Sequence, residues 1–100
     1  MLDLSQIVGF DWDDGNSLKS AQKHAVSQGE AEQVCADAQL LFAEDVKHSQ
    51  NEARYNALGR TSEDRLLHVT FTLRDDGKSI RVISARDANR KERGLYEQKA

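Results

Sequence analysis

Two alternating segments around one short turn constrain the fold more than any other feature of this sequence. Residues 66–74, LLHVTFTLR, place every second side chain on one apolar face, and residues 80–86, IRVISAR, are rich in β-branched side chains. Asp76-Gly77 between them is typical of a two-residue hairpin turn. We therefore predict an antiparallel hairpin whose apolar face is covered by other elements.

A two-residue turn fixes the register of the two strands and therefore the composition of each face. The predicted pairs are Asp75–Lys78, Leu73–Ile80, Thr72–Arg81, Phe71–Val82 and Thr70–Ile83. The expected core face consists of Leu67, Val69, Phe71, Leu73, Ile80 and Val82. The opposite face consists of His68, Thr70, Thr72, Arg81 and Ile83. This second face suits either a shallow groove for phosphates or a solvent-exposed sheet surface.

A strand and two helices are predicted before the hairpin. Residues 7–12 are short, β-branched and aromatic, and a helical apolar stripe follows between Asn16 and Val26. Ser27 and Glu30 form a capping-box pattern. The second helix that they introduce is expected to align Ala31, Val34, Cys35 and Ala38 on one face.

Further elements are predicted on either side of the hairpin. Residues 45–51 lack apolar periodicity and predict a loop, which leads into a strand over residues 53–59. Asp87 is expected to cap a short charged helix at the end of the chain. That helix should pack through Ala88, Leu95 and Tyr96.

Size and composition fit a single domain over residues 1–100. The hydrophobic fraction is 38% and the charged fraction 31%, which is enough for one small core. No apolar run approaches the roughly 20 residues that span a bilayer, and the first residues lack a basic flank, so we expect a cytoplasmic protein without a membrane partner. Cys35 is the only cysteine, and His24, His48 and His68 lie on separate predicted elements. We therefore expect neither a metal site nor a cofactor.

The two halves of the chain differ in charge. Residues 1–50 carry nine acidic residues against three lysines, and residues 51–100 carry eight acidic residues against eleven basic ones. All eight arginines lie in the second half. Arginine matches phosphate well, so the C-terminal half favours an anionic partner, although an ion-paired solvated surface explains the same composition.

Several strings together resemble the BrnT family, and the resemblance extends from Phe10 to Glu97. They are FDWDDGN at 10–16, KHAVS at 23–27, DVKHSQNEARYNALGRT at 45–61, FTLR at 71–74 and IRVISARDANRKERGLYE at 80–97. The chain departs from the family pattern at Ser20, where the family often has Asn. It departs again at Ala25, where Gly often follows the Lys-His pair.

The resemblance implies a RelE-like α+β fold with an N-terminal strand, two helices, an antiparallel sheet of three or four strands and a C-terminal helix. It also implies a toxin of a type II toxin–antitoxin system that cleaves RNA and inhibits translation. The implied partner is a BrnA-like antitoxin with a ribbon-helix-helix DNA-binding part. The toxin itself would then contact DNA only indirectly, through that antitoxin.

RNA can be cleaved without a metal when its own 2′-hydroxyl attacks the adjacent phosphorus, and the protein then supplies a base, an acid and cations. For this chemistry we assign Arg81 and Arg86 to phosphate stabilisation. His24 or Tyr96 would transfer protons, because a histidine titrates near neutral pH and a tyrosine could do so beside positive charge. The residues expected to hold RNA are Lys23, Arg90 and Arg93.

Two other classes of function remain open at this point. A catalytically inactive family member would act as an antitoxin-binding or RNA-binding module, and it would not arrest growth. A ribosome-associated structural protein would bind RNA tightly without cleaving it, which the acidic N-terminal half disfavours.

Overall fold

The computed structural model describes residues 6–13, 15, 25–49 and 51–99, which contain one five-stranded sheet and two α-helices. The strands are β1 (Gly9–Phe10), β2 (Leu41–Glu44), β3 (Arg54–Arg60), β4 (Leu66–Arg74) and β5 (Ser79–Asp87). The helices are α1 (Gln28–Cys35) and α2 (Arg90–Lys99), and a 3₁₀ turn spans Val46–His48. The order across the sheet is β1-β5-β4-β3-β2. β1 runs parallel to β5, and every other neighbouring pair is antiparallel.

The α+β class is confirmed, and the sheet differs in detail from the predicted three or four antiparallel strands. β2, β3, β4 and β5 are antiparallel, and the parallel strand β1 makes it a mixed sheet of five. β2 was not predicted, because its four residues are too few to show alternation and directly follow a helical pattern. Its pairing with β3, from Leu41↔Leu58 to Glu44↔Tyr55, is a tertiary contact. The first predicted helix falls mainly on residues 16–24, which lie outside the described residues.

The start of α1 is set by local sequence, and its end differs from the prediction. Ser27 accepts a hydrogen bond from the Glu30 amide at 3.1 Å, and Glu30 accepts one from the Ser27 amide at 3.0 Å. The predicted capping box is therefore confirmed. The helix ends at Cys35, so Ala38 lies beyond it and is exposed, contrary to the predicted helical face.

The β4–β5 hairpin has the predicted register near its turn and a different one further along. The observed turn spans residues 75–78, whereas a two-residue turn at Asp76-Gly77 was predicted. The predicted and the observed turn have the same centre, so Thr72 pairs with Arg81 as expected. Beyond Val82 an extra residue in β5, Ile83, forms a bulge opposite Phe71. Thr70 therefore pairs with Ser84, and the predicted pair with Ile83 is wrong.

The bulge changes which side chains share a face of the sheet. On one face, the main core packs under α1 and comprises Val26, Ala31, Val34, Ala57, Leu67, Val69, Phe71, Ile80, Val82 and Ala85. Leu73, predicted as core, is only partly buried beside them. On the other face, a smaller cluster of Leu58, Leu66 and Tyr96 packs under α2. Both faces of the sheet are therefore partly covered by helix.

The helix α2 begins later than predicted. Asn89 forms a reciprocal pair with Glu92: the Glu92 amide donates to Asn89 Oδ1 at 2.8 Å, and the Asn89 amide donates to Glu92 Oε1 at 2.9 Å. Asp87 is not the cap, because it lies in β5 and its carboxylate accepts two hydrogen bonds from Arg65. Leu95 is 48% exposed, so the prediction that it packs into the core is also wrong.

Candidate functional site

The face of the sheet that packs under α2 carries the charged side chains of the hairpin, and we call it the polar face. Thr72 and Arg81 form one pair across β4 and β5, and His68 and Arg86 form another. The two arginines are five positions apart, which would place them on opposite faces of a regular strand. They share a face because the bulge at Ile83 adds one residue between them.

The hydroxyl groups predicted for this face are already used within the protein. Thr70 donates to Asn56 Oδ1 at 2.8 Å. Thr72 is almost fully buried and donates to the Ala53 carbonyl at 2.7 Å. These two threonines connect β4 to β3 and to the residue before it, and the arginines remain the groups best placed to meet an anion.

Arg81 lies beside the acidic segment that follows β1. Its guanidinium donates to Asp13 Oδ2 at 2.7 Å and lies 3.4 Å from Asp11 Oδ2. The hydrogen bond with Asp13 is the main reason that the pKa of Arg81 is raised. Both carboxylates are substantially exposed, so water screens this ion pair.

Arg86 is held more firmly than Arg81. Its two terminal nitrogens donate to the two oxygens of Glu92, each at 2.8 Å. Such a bidentate pair fixes the guanidinium plane. The Arg86 hydrogen bonds lower the pKa of Glu92 to about 2, and the Asn89 amide also contributes. Glu92 thus connects the cation on β5 to the first turn of α2.

His68 is an ionisable group beside this pair. It was predicted to lie on the polar face, and no role was assigned to it. Its side chain is 14% exposed, and its Nε2 lies 3.7 Å from Glu92 Oε2. Its Nδ1 is buried and has no hydrogen-bond partner among the described residues. Burial lowers the pKa of His68, so the neutral imidazole is favoured at neutral pH.

A largely apolar groove of about 390 Å³ lies between the edge strand β2 and helix α2. It is lined by Leu41, Phe42, Ala43, Asn56, Leu58, His68, Glu92 and Leu95. His68 and Glu92 belong both to this groove and to the charged cluster with Arg86. The groove therefore places an apolar surface directly beside a fixed cation.

Comparison with known proteins identifies the family and agrees with the fold. The family model described as the ribonuclease toxin BrnT of type II toxin–antitoxin systems matches residues 12–92. The chain belongs to the BrnT family. A comparison with curated proteins found no match.

A BrnT toxin of known structure has the same fold. The crystal structure of the Brucella abortus ribonuclease toxin BrnT matches this chain with a TM-score of 0.62 and 19% sequence identity. The match covers 83% of this chain and 99% of that chain. The predicted family resemblance is therefore confirmed, and membership of a type II toxin–antitoxin family implies an antitoxin partner.

A second, polar depression of about 330 Å³ lies within the BrnT-like segment after β2. It is lined by Lys47, His48, Asn51, Glu52 and Arg54. His48 Nδ1 lies 2.9 Å from Asp45 Oδ2, and this hydrogen bond is the main reason that the pKa of Asp45 is lowered. Glu52 is paired with Arg74 at the end of β4. Residues 45–51 were predicted to form a loop. The charged residues of that segment were the sequence signal that could have indicated this cluster.

Tyr96, predicted as a proton-transfer residue, is buried and hydrogen-bonded within the protein. Tyr96 is 2% exposed, and its hydroxyl donates to Asp37 Oδ2 at 2.5 Å. Burial is the main cause that raises its pKa to about 12, followed by the hydrogen bond to Asp37. The Arg60 amide donates to the same carboxylate oxygen at 2.8 Å. These contacts favour a structural role for Tyr96 in fastening α2 to the segment after α1.

The remaining predicted site residues occupy two regions. Arg90 and Arg93 are exposed on α2. Lys23 and His24 lie outside the described residues. Within the described ranges, no group of three or more His, Cys, Asp or Glu side chains is arranged to hold a metal ion. No helix in that part of the chain has the length and apolar character needed to cross a bilayer.

Proposed function

We propose that this BrnT protein is a metal-independent endoribonuclease that inhibits translation by cleaving RNA. The observation that carries the proposal is the position of Arg81 and Arg86 on one face of the sheet, with Arg86 paired to Glu92 of a groove on that face. In the proposed reaction the 2′-hydroxyl of the RNA loses its proton to a base and attacks the adjacent phosphorus, and negative charge develops on the phosphate oxygens. The P–O5′ bond then breaks, the 5′-oxygen leaves as a protonated hydroxyl, and a 2′,3′-cyclic phosphate remains. Guanidinium groups held in place by the fold stabilise that charge without needing to reorganise.

The local charge of the polar face supports RNA binding better than the net charge of −3 does. Arg90, Lys91 and Arg93 are exposed on α2, next to the Arg86 cluster. Binding of RNA depends mainly on how many phosphates are neutralised where the RNA lies. A cationic helix beside the groove can supply this neutralisation, and the acidic residues of the first half that lie closest to the proposed cations, Asp11 and Asp13, are paired with Arg81.

The carboxylates that pair with the arginines are compatible with this role to different degrees. An exposed ion pair contributes only about 0–1 kcal/mol, so a phosphate can replace Asp13 at Arg81 with little loss. The Arg86–Glu92 pair is bidentate and less exposed, so we assign Arg86 to a fixed position in which its remaining surface contacts the phosphate. Arg90, Arg93 and Lys23 would hold the RNA backbone.

For proton transfer we propose His24, with Tyr96 as the alternative. The ordinary pKa of a histidine suits this task at neutral pH. The raised pKa of Tyr96 and its hydrogen bond to Asp37 oppose its use as a base, so we place His24 first.

We propose that the antitoxin partner is BrnA-like, with a ribbon-helix-helix DNA-binding part, and that it covers the arginine-rich C-terminal half. An acidic or amphipathic segment there would neutralise the RNA-binding cations and block the site in one step.

A catalytically inactive BrnT protein that only binds the antitoxin or RNA is the second candidate. The observation that favours it is that Arg81 and Arg86 are each already paired with a carboxylate. Such pairing neutralises part of the charge that a reacting phosphate needs.

Two measurements separate these candidates. Induction of the chain alone should arrest bacterial growth, and co-expression of the antitoxin encoded beside it should restore growth. The purified protein should cleave single-stranded RNA in EDTA and leave 2′,3′-cyclic phosphate ends. Unimpaired growth with soluble protein present, together with intact RNA, would reject the nuclease. RNA binding without products would favour the inactive module.

A further inference from the structure

We infer that the groove between β2 and α2 binds one unstacked nucleobase of the RNA and thereby selects the cleavage position. This inference rests on the proposed ribonuclease function and adds a base-binding subsite to it. It starts from the apolar lining of the groove and its contact with the Arg86 cluster.

The size and lining of the groove suit a planar aromatic ring. Small-molecule sites usually have volumes of about 300–1,000 Å³ and apolar walls with few polar groups, and this groove has about 390 Å³. Leu41 and Leu58 form its floor on the sheet side, and Leu95 forms part of the opposite wall. The His68 ring lines the groove on the sheet side, whereas Phe42 pairs with Ala57, so its side chain lies on the opposite face of β2. Single-stranded RNA is typically read by splaying out a base against such surfaces.

The position of the groove relative to the cations matches the geometry of a nucleotide. Glu92 lines the groove and holds both terminal nitrogens of Arg86. A base in the groove therefore leaves its ribose and phosphate near Arg86 and the exposed cations of α2. This coupling of an apolar base subsite to a phosphate subsite distinguishes the groove from an isolated apolar patch.

Few polar groups line the groove. Asn56 accepts a hydrogen bond from Thr70 and also bonds with Asp45, so its amide is already engaged. His68 Nδ1 is buried without a partner among the described residues. Because this nitrogen has almost no exposed surface, a base in the groove would be held by apolar contact and stacking on the lining side chains rather than by a hydrogen bond to His68 Nδ1.

An extended segment of a partner protein is the competing occupant, because β2 is an edge strand with apolar side chains. The observations favour RNA over this occupant. β2 has only four residues, which gives a short ladder for strand addition. The groove is also continuous with the charged cluster that the proposed reaction needs.

A filled-groove variant tests the inference. Ala43 is exposed on β2 and lines the groove, so Ala43→Trp places a large ring in it from the edge of the sheet. Glu44→Trp is the matched control, because Glu44 is the next exposed residue and pairs with Tyr55 on the opposite face. Leu95→Ala removes part of the other wall and is a second variant at an exposed position. Folding of each variant is checked by thermal unfolding.

The probe is a short 2′-O-methyl RNA, which lacks the attacking hydroxyl and therefore cannot be cleaved, together with a set of copies that each carry one abasic position. Fluorescence anisotropy should show binding about tenfold weaker for Ala43→Trp than for Glu44→Trp, as expected for loss of one stacked base. One abasic position should weaken binding to Glu44→Trp by a similar factor and have no further effect on Ala43→Trp. The salt dependence should stay the same, because the phosphate contacts remain.

Equal RNA affinity of the two tryptophan variants, or equal sensitivity to every abasic position, would overturn the inference. If Ala43→Trp keeps its affinity for RNA but no longer binds the antitoxin, the groove is a protein-docking site instead. If the unaltered protein cleaves RNA, these results reject only the base subsite. If the unaltered protein neither binds nor cleaves RNA, the proposed function itself fails.

Discussion

Arg86 on β5 lies directly opposite His68 on the neighbouring strand β4, and both side chains approach the carboxylate of Glu92. The register that places them together depends on one extra residue, Ile83, in β5. If Ile83 paired with Thr70 and β5 had no bulge, Arg86 would lie opposite Leu67 and point toward the core under α1. A local irregularity of the backbone therefore determines which arginines can act on one substrate.

Arg81→Ala and Arg86→Ala are expected to abolish toxicity while the protein stays folded. Each substitution removes a cation proposed to stabilise the phosphate in the transition state, and each loss should be worth about 2–4 kcal/mol. The measurement is the cleavage rate of purified variants on single-stranded RNA, with circular dichroism as the test of folding.

Lys78→Ala is the control for general loss of charge, because Lys78 is exposed in the β4–β5 turn. It should cleave RNA at nearly the normal rate. Arg81→Lys should restore only part of the activity, since lysine cannot reproduce the planar fork of arginine. Normal cleavage by both folded alanine variants would show that these arginines have been given the wrong role.

Tyr96→Phe is expected to lower the free energy of unfolding by about 1.5–3 kcal/mol, because it removes a hydrogen bond to a carboxylate. Urea denaturation measures this loss. The cleavage rate at a temperature where the variant is folded should stay near normal. A folded Tyr96→Phe protein with no activity would instead restore Tyr96 as a proton-transfer residue.

Arg90→Glu combined with Arg93→Glu should weaken antitoxin binding. Both positions are exposed on α2 and contribute positive charge that an acidic partner segment would contact. Association of the unaltered proteins should slow as salt rises, and dissociation from the double variant should be faster, as measured by surface plasmon resonance. Hydrogen-exchange protection limited to residues 16–38 would place the antitoxin elsewhere.

Stability should fall at acid pH in a way that depends on Glu92. Its pKa in the folded protein is about 2, below the ordinary value of 4.5, so its ionised form stabilises the fold. This contribution is complete above pH 4.5 and is lost as the pH falls toward 2. Glu92→Gln should therefore show a shallower decline of unfolding free energy over this range. Glu97→Gln, an exposed change on the same helix, should keep the normal decline.

Ala25→Gly is expected to stabilise the protein. Ala25 has a φ of 54°, in the left-handed region that glycine adopts without strain, and its carbonyl accepts a hydrogen bond from Arg65. Glycine relieves this strain but also increases the conformational entropy of the unfolded chain. The net effect should be an increase of about 0.5–1 kcal/mol in the free energy of unfolding. Ala53→Gly, also at an exposed position, is the control and should be slightly destabilising. Equal effects of the two changes, measured by urea denaturation, would contradict this reading of the backbone.

The sequence by itself determined the elements whose signals are local. The capping box of Ser27 and Glu30 sets the start of α1 because both partners lie within one turn. The alternation of residues 66–74 and the centre of the following turn specify the β4–β5 pairs near Arg81. The segments that resemble the BrnT family, above all residues 80–97, also indicated the family from the sequence alone.

Only the tertiary structure decided how the site is assembled. The bulge at Ile83 depends on how β5 fits β4 and the layers around them, and no residue type at that position signals it. The four residues of β2 have no sequence pattern of their own. They form a strand because the edge of β3 is free to pair with them. Asp37 accepts a hydrogen bond from the buried Tyr96 hydroxyl, although the two residues are 59 positions apart in the sequence. Such contacts depend on distances in space, which a linear sequence does not contain.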